Sequence, residues 1–175
     1  MALISMVICC LPATKLLPAT NPRPAASLLV AGHPAAREAA TPGEIVVETS
    51  RVLLPCVDAQ ALDAGGVATS PATGSYAVKV TVTPSDDEGE WVLWMEASEP
   101  YFRSADGEKP CRDLLWKHDD ESASAYRPVS EDGVPVFKCG GGEAEIHLDL
   151  MVAVDWRTAP GAYRLGLGFR LQSLE

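Results

Sequence analysis

The sequence predicts an all-β protein: an antiparallel β-sandwich, Ig-like or jelly-roll-like, that follows an extended N-terminal arm. Three observations indicate this class. The residues from Tyr163 to Gln172 alternate strictly between apolar side chains and Arg, Gly or Gln, which is typical of a strand with one buried face. Short strand patterns recur at intervals of about ten residues, which corresponds to about seven to eight strands. No segment shows the period of an amphipathic helix.

The sequence divides into an arm, residues 1–42, and a sandwich domain, residues 43–175. The arm is rich in Ala and Pro, and its proline spacing fits extended chain rather than helix. Its first eleven residues are apolar, uncharged and too short to span a bilayer as a helix. They are interpreted either as a cleaved signal-like segment or as a retained arm whose tip adds a strand to a neighbour. In the second case, Cys9 and Cys10 form an intersubunit disulfide, and the arm buries little in its own chain.

The first strand patterns of the body come in two groups separated by a loop. Glu44 to Leu54 is β-branched and apolar, but its alternation changes face near Ser50, which predicts a bulge or two short strands. Residues 57–75 contain several glycines and a proline and are predicted to form a loop. Tyr76 to Val82 then alternate as a strand that stops at Pro84.

Trp91 to Ala97 form the next predicted strand, with Trp91 and Trp94 on opposite faces. Three brief segments follow, interrupted by prolines, and are predicted to be edge strands: Leu114 to Trp116, Tyr126 to Val129, and Val134 to Phe137. The glycine run at residues 140–142 is a turn that leads into the strand predicted to be the longest, with Ile146, Leu148, Leu150, Val152 and Val154 facing inward.

The C-terminal half resembles a known family in the order of its elements. The order is a Leu-Leu-Trp-Lys strand, a short strand with proline, a Gly-rich turn, a long alternating strand and a Trp-x-x-x-Pro-Gly-x-Tyr hairpin. Over roughly residues 110–172 this is similar to exported bacterial β-sandwich surface proteins, the spore-coat and pilus-type subunits of the coat-protein-U kind. The resemblance implies a secreted or surface-assembled structural protein, and it carries over no catalytic residue.

Charge and cysteine content narrow the classes of partner. The net charge is −10, and residues 1–50 carry equal numbers of acidic and basic side chains, so the acidic excess lies in the body. An acidic body argues against nucleic acid and anionic membrane surfaces as partners. The body cysteines, Cys56, Cys111 and Cys139, lack C-x-x-C spacing. They fit either one disulfide with a free thiol or three buried thiols.

Motifs for catalysis are missing from the sequence. The three histidines, His33, His118 and His147, form no metal-binding motif, and no nucleophile elbow, phosphate-binding loop or dinucleotide fingerprint occurs. The acidic runs at residues 86–88 and 119–121 fit either solvated turns or calcium ligands. We therefore expect a protein that is not an enzyme and has no cofactor.

The sequence favours an extracellular or cell-surface structural subunit. It would be a homo-oligomer that assembles into a fibre, coat or layer by strand addition, because sandwich edges carry unpaired backbone groups. The alternative is a monomeric module that binds carbohydrate or another surface ligand, with polysaccharide as the candidate partner. In either case Trp94 is the candidate contact, as a subunit interface or as a ligand-binding face.

Overall fold

The structure is a computed structural model that describes residues 2–9, 43–49, 51–69, 76–85, 89–105 and 107–174. These residues form thirteen strands, a short α-helix α1 (Ala59–Ala64) and two 3₁₀ helices (Cys111–Asp113 and Ala123–Ala125). The strands are β1 (Ala2–Cys9), β2 (Gly43–Val47), β3 (Arg51–Leu54), β4 (Gly66–Ala68), β5 (Val78–Pro84), β6 (Glu90–Ala97), β7 (Tyr101–Phe102), β8 (Lys109–Pro110), β9 (Leu114–His118), β10 (Arg127–Pro128), β11 (Val134–Cys139), β12 (Ala144–Ala153) and β13 (Ala162–Leu174).

The core lies between two sheets, and the predicted all-β sandwich is confirmed. The described residues form thirteen strands, so the predicted number of seven to eight is wrong, because several strands of two or three residues are too short to show alternation. The five-stranded sheet has the order β11-β6-β13-β1-β3. The six-stranded sheet has the order β10-β9-β12-β5-β2, with β4 also paired to β12, and β7 and β8 form a separate hairpin. Strand pairing is antiparallel throughout the described residues except between β1 and β3, which run parallel.

The closing strand β13 organises the five-stranded sheet. Its predicted facing is confirmed: Tyr163, Leu165, Leu167, Phe169 and Leu171 are buried, and the arginines between them are exposed. At thirteen residues it is also the longest strand, so the prediction that β12 would be the longest is wrong. The reason is that β13 continues past its buried row to Leu174, where it still pairs with Glu90 of β6.

The six-stranded sheet is built around β12, whose predicted inward row is buried. Its neighbour β9 lies between β10 and β12, so the prediction that Leu114 to Trp116 form an edge strand is wrong. No proline interrupts β9 itself, and its backbone can therefore pair on both sides. The other two segments, β10 and β11, do lie at sheet edges.

The pattern from Glu44 to Leu54 forms two strands, as predicted. β2 lies at the edge of the six-stranded sheet and β3 at the edge of the five-stranded sheet. The change of face near Ser50 therefore marks the place where the chain crosses from one sheet to the other.

The predicted loop at residues 57–75 contains the helix α1 and the strand β4, which pairs with β12, so the loop prediction is wrong over these residues. Asp58 accepts a hydrogen bond from the backbone N–H of Ala61 at 2.8 Å, and Gly65 ends the helix in the left-handed region, with φ 76°. A helix of six residues with both caps is too short to produce helical periodicity in the sequence.

Candidate functional site

The candidate functional site is the slot between β13 and β3, which β1 of the same chain fills. β1 pairs antiparallel with β13 from Ala2, opposite Phe169, to Cys9, opposite Ala162. On its other side it pairs in parallel with β3, from Ser5 to Ile8. Within the described residues, β1 is the only strand that pairs with β3. The slot therefore joins β3 to the rest of its sheet through a strand that is distant in sequence. The expectation that the arm contributes little to its own chain is wrong for residues 2–9, because β1 pairs on both sides within that chain.

The two ends of the connecting segment lie at opposite ends of the sandwich. Cys9 pairs with Ala162 at the start of β13, which we call the Ala162 end. Gly43 pairs with Pro84 and lies beside Leu171, which we call the Gly43 end. Nine residues of β13 separate Ala162 from Leu171, a distance of about 30 Å. Residues 10–42, which lie outside the described residues, connect the two ends.

Gly43 occupies a position that other residues would strain. Its φ is +112°, and a Cβ atom there would lie 2.4 Å from the backbone oxygen of Thr83. Only glycine adopts this conformation readily and lets β2 start this close to β5. Gly43 therefore fixes the point at which β2 starts beside β5.

Trp94 lies on the outer face of the five-stranded sheet, and Trp91 on the inner face is 4% exposed, so their predicted opposite facing is confirmed. The Trp94 ring is half-buried, with the guanidinium carbon of Arg170 5.3 Å from its centroid. Its indole N–H has no acceptor within the described residues. Arg170 covers one face of the ring, and both roles predicted for Trp94, a subunit interface and a ligand-binding face, stay predictions.

The body cysteines form no disulfide. Cys56, Cys111 and Cys139 are free thiols, exposed, buried and half-buried respectively, so neither the predicted disulfide nor three buried thiols is observed. Burial raises the pKa of the Cys111 thiol, with a smaller contribution from Glu131. The Cys9 side chain and all of Cys10 lie outside what the structure describes, and their intersubunit disulfide stays a prediction.

The acidic run at residues 119–121 is held by ion pairs and hydrogen bonds. Asp119 contacts His147 Nδ1 at 3.3 Å, and Glu121 accepts a hydrogen bond from the His118 backbone N–H at 2.8 Å. Arg127 also binds Glu121, and these contacts hold the pKa of that carboxyl below its usual value. No group of three metal-ligating side chains occurs among the described residues, and residues 86–88 of the other acidic run lie outside them.

The polar face of the six-stranded sheet carries one continuous ion-pair network, defined as Glu48, Lys79, Glu145, His147 and Asp119. Lys79 Nζ lies 3.0 Å from Glu48 and 2.7 Å from Glu145. His147 Nε2 lies 2.8 Å from Glu145, and the network continues through its other nitrogen to Asp119. Every side chain of the network contacts another member of it, so these contacts connect neighbouring strands of the sheet.

A groove of about 560 Å³ opens near the Ala162 end. Three prolines and the half-exposed Tyr101 line it, with Arg112 and Glu131 among its charged walls. Cys111 also lines this groove, and burial raises the pKa of its thiol, which disfavours the thiolate form. No histidine is among the described residues that line the groove.

Fold and site together define an all-β sandwich whose N-terminal strand completes one of its own sheets. Comparisons with protein-family models, with curated proteins and with solved structures find no match. Among the described residues, no helix has the length and apolar character needed to cross a membrane.

Proposed function

We propose that the protein is a non-enzymatic, extracellular structural subunit that assembles into a surface fibre, coat or layer by strand addition. The observation that carries the proposal is the position of β1, an apolar segment that fills the slot between β13 and β3. The resemblance of residues 110–172 to exported surface subunits agrees with this function and with the location outside the cell.

The slot requires a strand. Without β1, the backbone groups of β13 that face it from Ala162 to Phe169 would lose their partners. β3 would also lose the strand that pairs it with the five-stranded sheet. Exposed edges of this kind pair readily with another chain, which makes the slot an acceptor for an added strand.

The same hydrogen bonds form whether β1 comes from its own chain or from a second copy. Exchange of an identical element between protomers therefore costs little interaction energy. The connecting segment contains 33 residues and can span about 110 Å when extended, far more than the distance between the two ends. Both arrangements are compatible with its length. Cys9 ends the exchanged strand and Cys10 follows it in the sequence, so a disulfide there would lock the strand.

Shortening the connecting segment tests the proposal. Deletion of residues 13–40 leaves five connecting residues, which span about 20 Å and cannot join Cys9 to Gly43 across about 30 Å. β1 then reaches a slot only on another copy. The matched control, deletion of residues 20–30, leaves 22 residues and permits closure within the chain. Size-exclusion chromatography with light scattering and negative-stain microscopy report the assembly state, and circular dichroism reports folding.

We expect the shorter variant to be folded and oligomeric at every concentration tested, and the control to behave as the full chain does. A folded monomer with residues 13–40 deleted would contradict strand exchange. If that variant fails to fold, adding a synthetic peptide of residues 2–9 should restore the β-sheet spectrum. If the peptide does not do so, the slot is not an acceptor and the proposal fails.

A further inference from the structure

Cys56 is the only exposed cysteine among the described residues. It follows β3 in the chain, and the last residue of β3, Leu54, pairs with Ile8 of β1. Ile8 in turn pairs with Tyr163, the neighbour of Ala162, so Cys56 lies just beyond β3 at the Ala162 end of the sandwich. An accessible thiol therefore lies next to the place where β1 ends.

The other described cysteines belong to distant parts of the five-stranded sheet. Cys139 is the last residue of β11, at the edge opposite β3. The backbone N–H of the buried Cys111 donates to Pro100, just past the end of β6, and both β13 and β1 separate β6 from β3. Three or four strand spacings amount to about 14 Å or more, whereas a disulfide joins Cα atoms about 4.4 to 6.8 Å apart. The cysteines that remain for Cys56 are those at the end of β1.

The parallel register of β1 and β3 leads directly to Cys56. Four residues of each strand pair in step, and the last of these pairs is Ile8 with Leu54. Because the two strands are parallel, both chains leave this pair in the same direction. Cys10 and Cys56 each come two residues later in the sequence, so the same register makes them partners. Neighbouring strands lie about 4.8 Å apart, which is within the Cα separation that a disulfide spans.

We propose that Cys56 forms a disulfide with the Cys10 that follows the β1 strand in its slot, so that the bond holds β1 against β3. The register is the same whichever chain supplies β1. A β1 strand from the same chain gives a bond within the chain, and one from a second copy gives a bond between chains. The inference rests on the proposed function in one respect, because an extracellular location supplies the oxidising conditions in which disulfides persist.

The bond forms by thiol–disulfide exchange with a small disulfide such as oxidised glutathione. The Cys56 thiolate attacks one sulfur of that disulfide and releases the first glutathione. The Cys10 thiolate then attacks the Cys56 sulfur of the mixed disulfide and releases the second glutathione. Two cysteine thiols are thereby oxidised, and one glutathione disulfide is reduced to two thiols, which take up the two protons.

Peptide mapping of the full-length protein tests the bond. The protein is purified in reductant, oxidised with oxidised glutathione, alkylated at its remaining thiols and digested with trypsin without reduction. Trypsin separates the cysteines concerned, because it leaves residues 1–15 and residues 52–79 as different peptides. Mass spectrometry then identifies every pair of peptides that a disulfide joins.

We expect these two peptides to be recovered as one linked species that reductant separates. Cys10→Ser and Cys56→Ser should each abolish the species. Cys9→Ser is the matched control and should retain it, because this change removes the adjacent thiol of the same peptide. Complete alkylation of Cys56 after oxidation, linkage of Cys56 to any other peptide, or survival of the bond in Cys10→Ser would each overturn the proposal.

Isotope labelling separates this inference from the proposed function. Unlabelled chains and chains labelled with a heavy nitrogen isotope are unfolded and refolded together before oxidation. A bond within one chain joins peptides of the same label, whereas strand exchange also joins labelled to unlabelled peptides. Mixed-label pairs would support both the disulfide and strand exchange, and same-label pairs alone would support the disulfide and contradict exchange. The absence of any linked pair would overturn the disulfide and leave strand exchange to the deletion of residues 13–40.

Discussion

At the scale of single residues, the two faces of β13 experience opposite environments. Leu167 is fully buried between the sheets, opposite Ala97 of β6 on one side and Ile4 of β1 on the other. Arg170 is exposed and donates a hydrogen bond to Gln172 at 2.8 Å. A charge introduced on the inner face has no partner and no water, whereas a change on the outer face remains solvated.

Leu167→Asp is therefore expected to lower the free energy of unfolding by about 4 kcal/mol or more, because it buries an unpaired carboxylate. Arg170→Gln, which keeps a long polar side chain on the outer face, should cost less than about 1 kcal/mol. Urea denaturation followed by circular dichroism measures both. Similar costs for the two variants would contradict the inward facing of this strand.

At the scale of elements, β1 is an interior strand between β13 and β3. Each backbone N–H in its middle faces one neighbour or the other, because a strand paired on both sides alternates its hydrogen bonds between them. Val7 lies in the part of β1 that pairs with both strands, opposite Arg164 and Leu53. A proline there removes one ladder hydrogen bond and clashes with the pleated geometry.

Val7→Pro should destabilise the fold by about 2 kcal/mol or more and speed amide hydrogen exchange in β13 and β3. Val7→Thr is the matched control, because threonine is also β-branched and keeps the backbone N–H. Hydrogen exchange read by mass spectrometry localises the effect to peptides that cover Arg164 and Leu53. Unchanged exchange in both strands would show that β1 does not occupy the slot in solution.

At the scale of the whole molecule, the ion-pair network ties together four neighbouring parts of the six-stranded sheet. Its charges come from the end of β2, from β5, from β12 and from the turn after β9. The Lys79 ammonium, through its hydrogen bond, holds the pKa of Glu145 below the ordinary value of 4.5, and His147 contributes less. The same pairing raises the pKa of Lys79.

The stability that this network provides should depend on pH in a defined direction. Because the folded-state pKa of Glu145 is depressed, its contribution is fully present above about pH 4.5 and is lost as the pH falls through the folded value. Glu145→Gln should therefore lower the urea midpoint at pH 7, and the difference from the native chain should shrink toward about pH 3. Glu44→Gln, at an exposed glutamate of β2, is the control. A difference that grows on acidification would contradict the assigned pairing.

Much of the fold could be predicted because it follows from local pattern. The alternation of apolar and polar residues predicted which side chains of β13 face inward. The change of face near Ser50 corresponds to the place where the chain passes from β2 in one sheet to β3 in the other. The helix α1 was missed because only six residues lie between its caps, Asp58 and Gly65, which is too short to show a period. The sequence did not predict that β9 lies in the interior of its sheet. Proline removes a backbone hydrogen-bond donor only at its own position, so prolines near β9 do not prevent it from pairing on both sides.

The candidate site was less accessible to sequence reasoning. β1 has no alternation of apolar and polar residues, since an interior strand can be apolar on both faces, and the same pattern also fits a signal-like segment. Trp94 was singled out by its position on a strand, yet the more exposed tryptophan is Trp156, in a loop whose orientation no periodicity describes.

The sequence by itself determined which residues face inward, because burial of apolar side chains at a period of two needs only the local chain. Only the tertiary structure decided which strands are neighbours. The pairing of β1 with β13 and β3 joins residues more than 150 positions apart on one side and more than 40 on the other. Every residue type other than proline offers the same backbone donor and acceptor. The sequence of a strand therefore does not show which other strand it pairs with.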